Sequence, residues 1–283
     1  MNKKGLTISM IFQAQSANYG EGIGNISQLK KMTRADGKVY TYISRQALRY
    51  NIVQQMGIDS TPVDNAQKVV QFSPDTTIKD YPEIDLFGYM KTSKNTLTRS
   101  AVVRLSNAIS LEPYRSDTDF LNNMGLASRA GLENALAQIE IHNSLYAYTI
   151  TVDLDQIGID KNGDIEISNS EKSERIKNLL DTVQFLYRDI RGRRENLSPV
   201  FAVGGVYDRK NPYFEDRLKV SKGTVNTELI SSVINSCDDS KNNTFIGVAD
   251  GFFSNDEKIK NLGALSVSEF FNKIKEKVVD YYA

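Results

Sequence analysis

The sequence has little of the chemistry that most enzymes use. Among its 283 residues there is one histidine, His142, one cysteine, Cys237, and no tryptophan. A single cysteine excludes an internal disulfide framework. One histidine with one cysteine supplies neither a Cys/His zinc site nor a Ser-His-Asp triad with a spare base, and His142 is interpreted as an ordinary surface or strand-end residue. We therefore expect no catalytic residue, no metal and no cofactor.

Long apolar runs are also missing. No run approaches the ~20 residues of a membrane span. Lys3 and Lys4 are followed by an alternating stretch at 6–12 that is too short and too polar for a signal peptide. We expect a cytoplasmic protein with no membrane partner. With 40% hydrophobic residues the chain has enough for a core, and its length fits one large domain with insertions or two small ones.

The net charge is zero, whereas nucleic-acid-binding domains are often strongly basic. The charges are nevertheless unevenly distributed. Residues 1–50 carry a net charge of +6, and residues 58–85 carry a net charge of −4. This asymmetry predicts one basic and one acidic face, unless the charges only cluster at random on a solvated surface.

The pattern of apolar residues predicts an α+β fold. Alternation with a period of two predicts strands at 6–12, 84–90, 99–111, 146–154 and 199–207. Apolar spacing of three or four predicts helices at 44–57 and 176–190, and a last helix that begins at the capping box from Ser266 to Glu269. The order of these elements is the split βαβ arrangement of ferredoxin-like and RRM-like folds.

The remaining segments are predicted to be insertions in a single RRM-like domain. The core, or palm, comprises residues 1–57, 84–111 and 143–207. The insertions are 58–83, 112–142 and 208–236, which are rich in proline, glycine and polar residues. This fold supports many functions, so it implies no activity by itself.

Cations surround the start of the first predicted helix. Lys30, Lys31, Arg34 and Lys38 precede it. A helix amino terminus has free amides and a positive dipole, which suit a phosphate.

Within that helix, Arg45 and Arg49 are four residues apart and share a side, where they can grip phosphate oxygens. Tyr40 and Tyr42 are candidates to offer rings to bases. The alternative is a capped helix with ordinary surface arginines.

Four stretches resemble the DevR family, the Cas-seven-type crRNA-binding backbone subunits of type I-B CRISPR Cascade complexes. They are Tyr-Ile-Ser-Arg-Gln-Ala-Leu-Arg at 42–49, Asp-Leu-Phe-Gly-Tyr-Met at 85–90, the stretch at 99–114, and Gly-Gly-Val-Tyr at 204–207. The resemblance extends over most of the chain.

The resemblance implies a hand-shaped protein with a palm, fingers and a thumb. Copies polymerise head to tail along crRNA beside other Cascade subunits and present the guide to target DNA, without catalysis. The implied contacts to the guide backbone fall on Lys38, Ser44, Arg45, Gln46 and Arg49. We add Lys30, Lys31, Arg34 and Arg104 as further RNA-binding candidates. A thumb wedge is expected at Met124 and Leu126 in segment 112–142, with 208–236 as the alternative segment.

Other interpretations remain open. Related subunits of type III systems cut target RNA with a loop aspartate, and Asp36 lies in a comparable loop. The family name also derives from a developmental regulator, although nothing in the sequence resembles a helix-turn-helix reader. Residues 160–171 imitate a calcium loop but have Ile165 where glycine is needed.

Four arginines cluster at the end of the second predicted helix, where cations complement the helix dipole, and contact with RNA is the second explanation. They are Arg188, Arg191, Arg193 and Arg194.

Overall fold

The computed structural model describes residues 3–22, 24–65, 69–92, 95–134 and 136–283. Within these ranges the helices are α1 (Arg45–Met56), α2 (Pro82–Phe87), α3 (Met124–Ala130), α4 (Asn169–Gln184), α5 (Thr227–Ile234), α6 (Asp238–Asn243), α7 (Asp256–Lys260) and α8 (Val267–Tyr282). A short 3-10 helix covers Leu154–Gln156.

The strands in the same ranges are β1 (Gly5–Ala14), β2 (Ile26–Ser27), β3 (Lys31–Thr33), β4 (Val39–Ile43), β5 (Val63–Asp64), β6 (Gln71–Phe72), β7 (Tyr89–Thr92), β8 (Thr96–Arg99), β9 (Val103–Leu105), β10 (Ala108–Ser110), β11 (Asp117–Asn122), β12 (Leu136–Ile141), β13 (Ser144–Asp153), β14 (Ile159–Asp160), β15 (Ile165–Glu166), β16 (Tyr187–Ile190), β17 (Arg193–Asn196), β18 (Phe201–Tyr207), β19 (Val220–Ser221), β20 (Thr224–Val225), β21 (Thr244–Val248) and β22 (Leu265–Ser266). The protein is therefore a mixed α+β structure.

One large sheet organises the molecule. Its strand order is β22-β21-β18-β1-β13-β10-β4-β3, and β9 also pairs with β13. Only β21 and β22 run parallel; the other pairs in this sheet are antiparallel. Strand β1 pairs with β13 over its whole length, from Gly5 opposite Asp153 to Ala14 opposite Ser144. It lies between β13 and β18, so it is a central strand.

Three helices cover one face of the sheet. Strand alternation places Leu6, Ile8, Met10 and Phe12 of β1 on that face, where they join the main core with α1, α4 and α8. Ser44 caps the amino terminus of α1, and its Oγ accepts a hydrogen bond from the amide of Ala47. Helix α8 begins with the predicted capping box from Ser266 to Glu269. These caps fix where the helices leave the sheet.

Five predicted elements are confirmed by the structure with shifts of a few residues at their ends. They are β1, β13, β18, α1 and α8. Alternation of apolar and polar residues is typical of a half-buried strand, but the polar face of β1 is also buried: Thr7 and Ser9 are about as inaccessible as the apolar residues beside them.

Two predicted elements are wrong in part. Residues 84–90, predicted as a strand, contain most of α2, and the strand β7 starts only at Tyr89. Pro82 at the first helical position favours this short helix, and Gly88 ends it at a φ of 74°. The helix predicted for 176–190 ends at Gln184, after which β16 and β17 form a hairpin.

The strand predicted for 99–111 is interrupted. Strands β9 and β10 both pair with β13, and Ser106 and Asn107 lie between them. Ser106 replaces ladder pairing locally, because its amide donates to the Thr149 carbonyl and its Oγ accepts from the Thr149 amide, each at 2.9 Å. The interruption lets Val103 and Ala108 both face the main core.

Two adjacent glycines in β18 let other backbone segments approach closely. A Cβ at Gly204 would overlap the carbonyl oxygen of Thr7, and a Cβ at Gly205 would overlap that of Asn243. These are backbone atoms, which cannot move aside as a side chain can. Glycine is therefore required at both positions by packing.

A buried ion cluster joins segment 78–99 to helix α4. The carboxylate of Asp85 is fully buried, and it receives Arg99 at 2.7 Å and Arg175 at 2.8 Å. The amide of Gly158 donates to the same carboxylate at 2.9 Å. Arg175 lies on α4 and also donates to the carbonyl of Ile78 at 2.7 Å. The cluster thus ties a surface segment to the main core.

The segments predicted as insertions differ in how they pack. Strands β11 and β12 with α3 form an extension in which every residue of β11 is exposed and no residue of α3 is buried. Segment 208–236 instead packs on the sheet, where Phe214, Leu218, Val225 and Ile230 belong to a second core.

Candidate nucleic-acid interface

A groove of about 550 Å³ lies on the face of the large sheet opposite α1, α4 and α8. Ser9 of β1, Thr149 and Thr151 of β13, and Ile109 of β10 line it. These residues alternate with those that face the main core, so they point to the other side. The Oγ of Ser9 and the Oγ1 of Thr149 are hydrogen-bonded at 2.6 Å. The floor of the groove therefore combines a hydrogen-bonded hydroxyl pair with apolar side chains such as Ile109.

Four cations line this groove. Arg34, Arg45 and Arg104 were predicted as RNA-binding residues, and the structure brings them together although they are distant in sequence. The fourth cation is Lys210, which sequence reasoning assigned only to a candidate insertion. No local pattern in the sequence connects Lys210 with the other three cations. Together they make the groove a candidate site for a polyanion.

Arg34 is held by the hairpin between β3 and β4. Its amide donates to the Lys38 carbonyl at 3.0 Å, and its carbonyl accepts from Gly37, whose φ is 73°. The guanidinium lies 5.0 Å from the centroid of the Tyr40 ring and 3.7 Å from a carboxylate oxygen of Asp216.

Arg45 is the first residue of α1 and is exposed. Its amide donates to Asn107 Oδ1 at 2.9 Å, and the Ala47 amide donates to Ser44 Oγ at 3.3 Å. Protein acceptors thus already satisfy part of the helix amino terminus, contrary to the expectation that its amides hold a phosphate. The guanidinium of Arg45 forms no ion pair within the described ranges, so the side chain is the group available to a ligand.

Arg104 and Lys210 share an acidic partner. Arg104 of β9 binds Asp153 at 2.8 Å and is half exposed. The Nζ of Lys210 lies 3.6 Å from Asp153 and also pairs with Asp155. Both side chains remain partly exposed and line the groove. Solvent weakens their ion pairs, so a ligand can still contact them.

Arg49 does not join this group. It lines a separate depression with Val63 and Met90, and its guanidinium packs 4.9 Å from the centroid of the Phe87 ring. Burial lowers its pKa, and Glu83, 4.0 Å away, opposes that shift. The expectation that Arg45 and Arg49 act from one side is therefore wrong.

Other predicted RNA-binding residues have varied surroundings. Lys31 binds Glu140 at 2.8 Å, and the Ser44 hydroxyl donates to Asn18 at 3.2 Å besides capping α1. These polar groups serve the protein itself. Lys38 and Gln46 are exposed, and Lys30 is half-buried beside β3.

Some of the charges that make the two segments basic and acidic are paired or buried within the protein. Lys31 of the basic segment has an internal partner in Glu140, and Asp85 of the acidic segment is fully buried. Lys68, which belongs to the acidic segment, lies outside the described residues. The basic and acidic segments therefore present fewer free charges than the sequence suggests.

Asp36 and Tyr40 complete the hairpin rather than line a site. Asp36 accepts a hydrogen bond from the Tyr40 hydroxyl at 2.7 Å and one from the Lys38 amide at 3.0 Å. These bonds lower the pKa of Asp36. Tyr40 is buried, so its ring is not available to bases, contrary to expectation.

Met124 and Leu126 lie on α3 at the end of the extension. Their exposed fractions are 61% and 59%. Phe120 and Leu132 on the same extension are also exposed. A group of exposed apolar side chains on a projecting element is typical of a contact surface.

The arginines after the second predicted helix belong to the hairpin of β16 and β17. Arg188 is buried and binds Glu195 at 2.7 Å, and Arg194 is exposed and binds Asp189. The expectation that they complement a helix end is wrong, because the helix stops earlier.

Asp160 and His142, considered from the sequence as possible metal ligands, form hydrogen bonds within the protein. Asp160 accepts a hydrogen bond from the Tyr89 hydroxyl at 2.8 Å. His142 follows β12, as expected, but it is buried rather than at the surface, and its Nδ1 lies 2.7 Å from Thr41 Oγ1. Burial lowers the pKa of His142. Among the described residues there is no group of three or more His, Cys, Asp or Glu placed to hold a metal ion.

No helix in the described part of the chain has the length and apolar character needed to cross a bilayer.

Comparison with known proteins gives both a family and a fold. Residues 6–220 match the family described as CRISPR-associated negative auto-regulator DevR/Csa2. A chain of a solved "CRISPR RNA-guided surveillance complex, pre-nicking" is similar with a TM-score of 0.61 and 12% identity, over 87% of this chain and 93% of that one. A chain of a "CRISPR RNA-guided surveillance complex" has a TM-score of 0.58 and 15% identity, over 99% and 100%. No curated protein matches the sequence.

Proposed function

Since the chain belongs to the DevR/Csa2 family of CRISPR-associated proteins, we propose that it is a crRNA-binding backbone subunit of a type I CRISPR surveillance complex, of subtype I-B. The observation that carries the proposal is the groove, where Arg34, Arg45, Arg104 and Lys210 converge on the sheet face opposite α1, α4 and α8. Phosphate contacts from Arg and Lys position a nucleic acid without reading its sequence. Base pairing of the guide with target DNA then supplies specificity.

The strand order supports a ferredoxin-like, RRM-like palm. Strands β18, β1, β13 and β10 are adjacent in that order, α1 lies between β1 and β10 in the chain, and α4 lies between β13 and β18. This is the split βαβ arrangement, with additional strands at both edges. RRM domains bind RNA on their four-stranded sheet, and the groove lies on the face of this sheet opposite α1, α4 and α8, beside segment 208–236.

We assign the thumb to segment 112–142 and not to segment 208–236. The first segment projects, with Met124 and Leu126 exposed near its tip, whereas the second packs on the sheet through Phe214 and Leu218. A wedge between bases needs apolar side chains that the protein core does not use. Segment 58–83 with the hairpin of β7 and β8 is assigned to the fingers.

We propose a scaffold role without catalysis. Asp36, the candidate for an RNA-cutting activity of the type III kind, has its carboxylate bonded to Tyr40 and Lys38 within its own hairpin. Metal-assisted cleavage needs a carboxylate free to bind an ion near the scissile phosphate. Incubation of the RNA complex with magnesium or manganese should leave the RNA intact. Reproducible cutting that disappears in Asp36→Ala would assign the chain to the enzyme class instead.

RNA binding tests the groove directly. Each phosphate contact to single-stranded RNA contributes about 0.7 to the slope of log affinity against log salt, so Arg45→Gln with Arg104→Gln should lower the slope by about 1.4. The matched control is Lys273→Gln with Lys277→Gln on α8, where both side chains are 49% exposed. An unchanged slope in the groove variant, or an equal change in the control, would place the RNA elsewhere.

Assembly along RNA tests the backbone role. Copies that meet head to tail use unlike surfaces, and such an interface need not close into a ring. Native mass spectrometry should show a ladder of stoichiometries whose maximum grows with RNA length. One copy per RNA at every length would contradict the proposal.

A further inference from the structure

Two carboxylates line the groove that the cations make attractive to phosphate. Glu215 and Asp216 lie in the segment that follows β18 and face the same space as Arg34 and Arg45. A polyanion in this groove meets both carboxylates as repulsive charges. Burial raises the pKa of Glu215, and the neighbouring Asp216 raises it further. The two carboxylates therefore lower the affinity of the groove for RNA, and this effect requires an explanation.

The segment that carries these acids is firmly anchored. Phe214 is fully buried in the second core, and Leu218 is buried beside it. The amides of Asp208 and Arg209 donate to Asp239 at 3.1 and 3.2 Å. The carboxylates are therefore held at the groove by a fixed backbone.

Asp216 lies in a turn with a left-handed backbone conformation. Its φ is 58°, a region that aspartate adopts more often than most other residues with a side chain. A strained residue persists where its surroundings fix it, as Phe214 and Leu218 do here. The result is a carboxylate oxygen 3.7 Å from the guanidinium of Arg34.

We propose that Asp216 is a built-in competitor for phosphate at Arg34, which weakens the grip of the groove on nucleic acid. The inference rests on the proposed function of the groove. Asp216 is 71% exposed and Arg34 is 26% exposed, so the pair is partly screened and loosely joined. A phosphate oxygen at about 2.8 Å, with a charge-assisted hydrogen bond, displaces it by a rotation of the Asp216 side chain alone.

The competition has a defined size. An exposed ion pair contributes a factor of up to about five to an equilibrium, so removal of the competitor should raise RNA affinity by about two- to fivefold. Arg34 then contributes a full phosphate contact, and the salt slope should steepen by up to about 0.7. The change is small per copy but multiplies along an RNA that holds several copies.

Asp216→Asn is the test, and the chain offers a closely matched control. Asp280 pairs with Lys277 at 3.7 Å and is 69% exposed, but it lies on α8, which covers the opposite face of the sheet. Asp216→Asn should bind RNA about two- to fivefold more tightly than wild type, and Asp280→Asn should not differ from wild type. The gain should disappear when Arg34→Gln is combined with Asp216→Asn, because the competitor acts through Arg34.

The failures of the two proposals are distinguishable. Wild-type RNA binding that is no stronger than that of the Arg45→Gln and Arg104→Gln variant contradicts the proposed function. The salt concentration at which the protein elutes from a heparin column measures the same competition with a polyanion other than RNA. Asp216→Asn should elute at higher salt than both wild type and Asp280→Asn. Equal elution of the three proteins, or a gain that persists with Arg34→Gln, overturns the role of Asp216.

Discussion

A substitution at Asp85 that keeps the side-chain volume should still strongly lower the stability of the fold. Asp85 is fully buried, and its carboxylate neutralises Arg99 and Arg175, which are themselves almost inaccessible to solvent. Asp85→Asn keeps the volume but removes the negative charge. Arg99 then remains buried without a counter-charge, and Arg175 keeps only the partly exposed Glu171, which is costly because little water reaches the two guanidinium groups.

The expected loss of stability follows from burial. Breaking a buried ion pair by removal of one partner costs about 3–5 kcal/mol. Each kcal/mol shifts the Tm of a domain of 150–250 residues by about 2–4 °C, so Asp85→Asn should lower the Tm by roughly 6–20 °C. The effect should also loosen segment 78–99, since Arg175 fixes the carbonyls of Ile78 and Lys79.

Thermal unfolding followed by circular dichroism measures this loss, and Asp189→Asn is the control. Asp189 also binds an arginine, Arg194, through two contacts of 2.9 Å, but both side chains are more than 60% exposed. An exposed pair of this kind is worth about 0–1 kcal/mol. A Tm for Asp85→Asn within about 2 °C of the control would refute the argument that burial sets the cost.

Two further predictions concern packing and the projecting extension. Gly205→Ala should sharply lower the free energy of unfolding measured by urea denaturation, because the new Cβ overlaps the Asn243 carbonyl, whereas Gly125→Ala has open space and should be tolerated. Met124→Glu with Leu126→Glu should leave the Tm unchanged, since both side chains are exposed, yet reduce the longest ladder on RNA seen by native mass spectrometry.

The sequence predicts the long elements of this fold well and the short ones poorly. Strand β13 and helix α8 repeat their apolar pattern over 10 and 16 residues, which is enough to define a period. Helix α2 has only six residues, so its apolar positions fit a strand equally well. Tyr187 and Ile190 continue the spacing of α4 but belong to a hairpin, because Arg191 and Gly192 turn the chain at positive φ.

The groove was only partly predictable, because its residues meet through the fold. Arg34 and Arg45 were found from a local cluster of cations, and Arg104 from an alternating strand. Lys210 reaches them only because segment 208–218 folds back over β1 and β13, which no local pattern indicates. Asp216 lies in the same segment, so its position beside Arg34 could not be predicted from a local pattern either.

A net charge of zero is compatible with a polyanion groove, but it limits how strongly one copy binds. Arg104 and Lys210 share Asp153, and Arg34 faces Asp216, so three of the four groove cations already interact with a carboxylate. A phosphate contact at any of these three cations must compete with its ion pair, and the gain per copy is correspondingly small. The proposed backbone of several copies on one RNA would not need tight single sites, because each added copy would bind at a high effective concentration. Weak binding of each copy would then let copies adjust along the RNA, while the assembled row would remain stably bound.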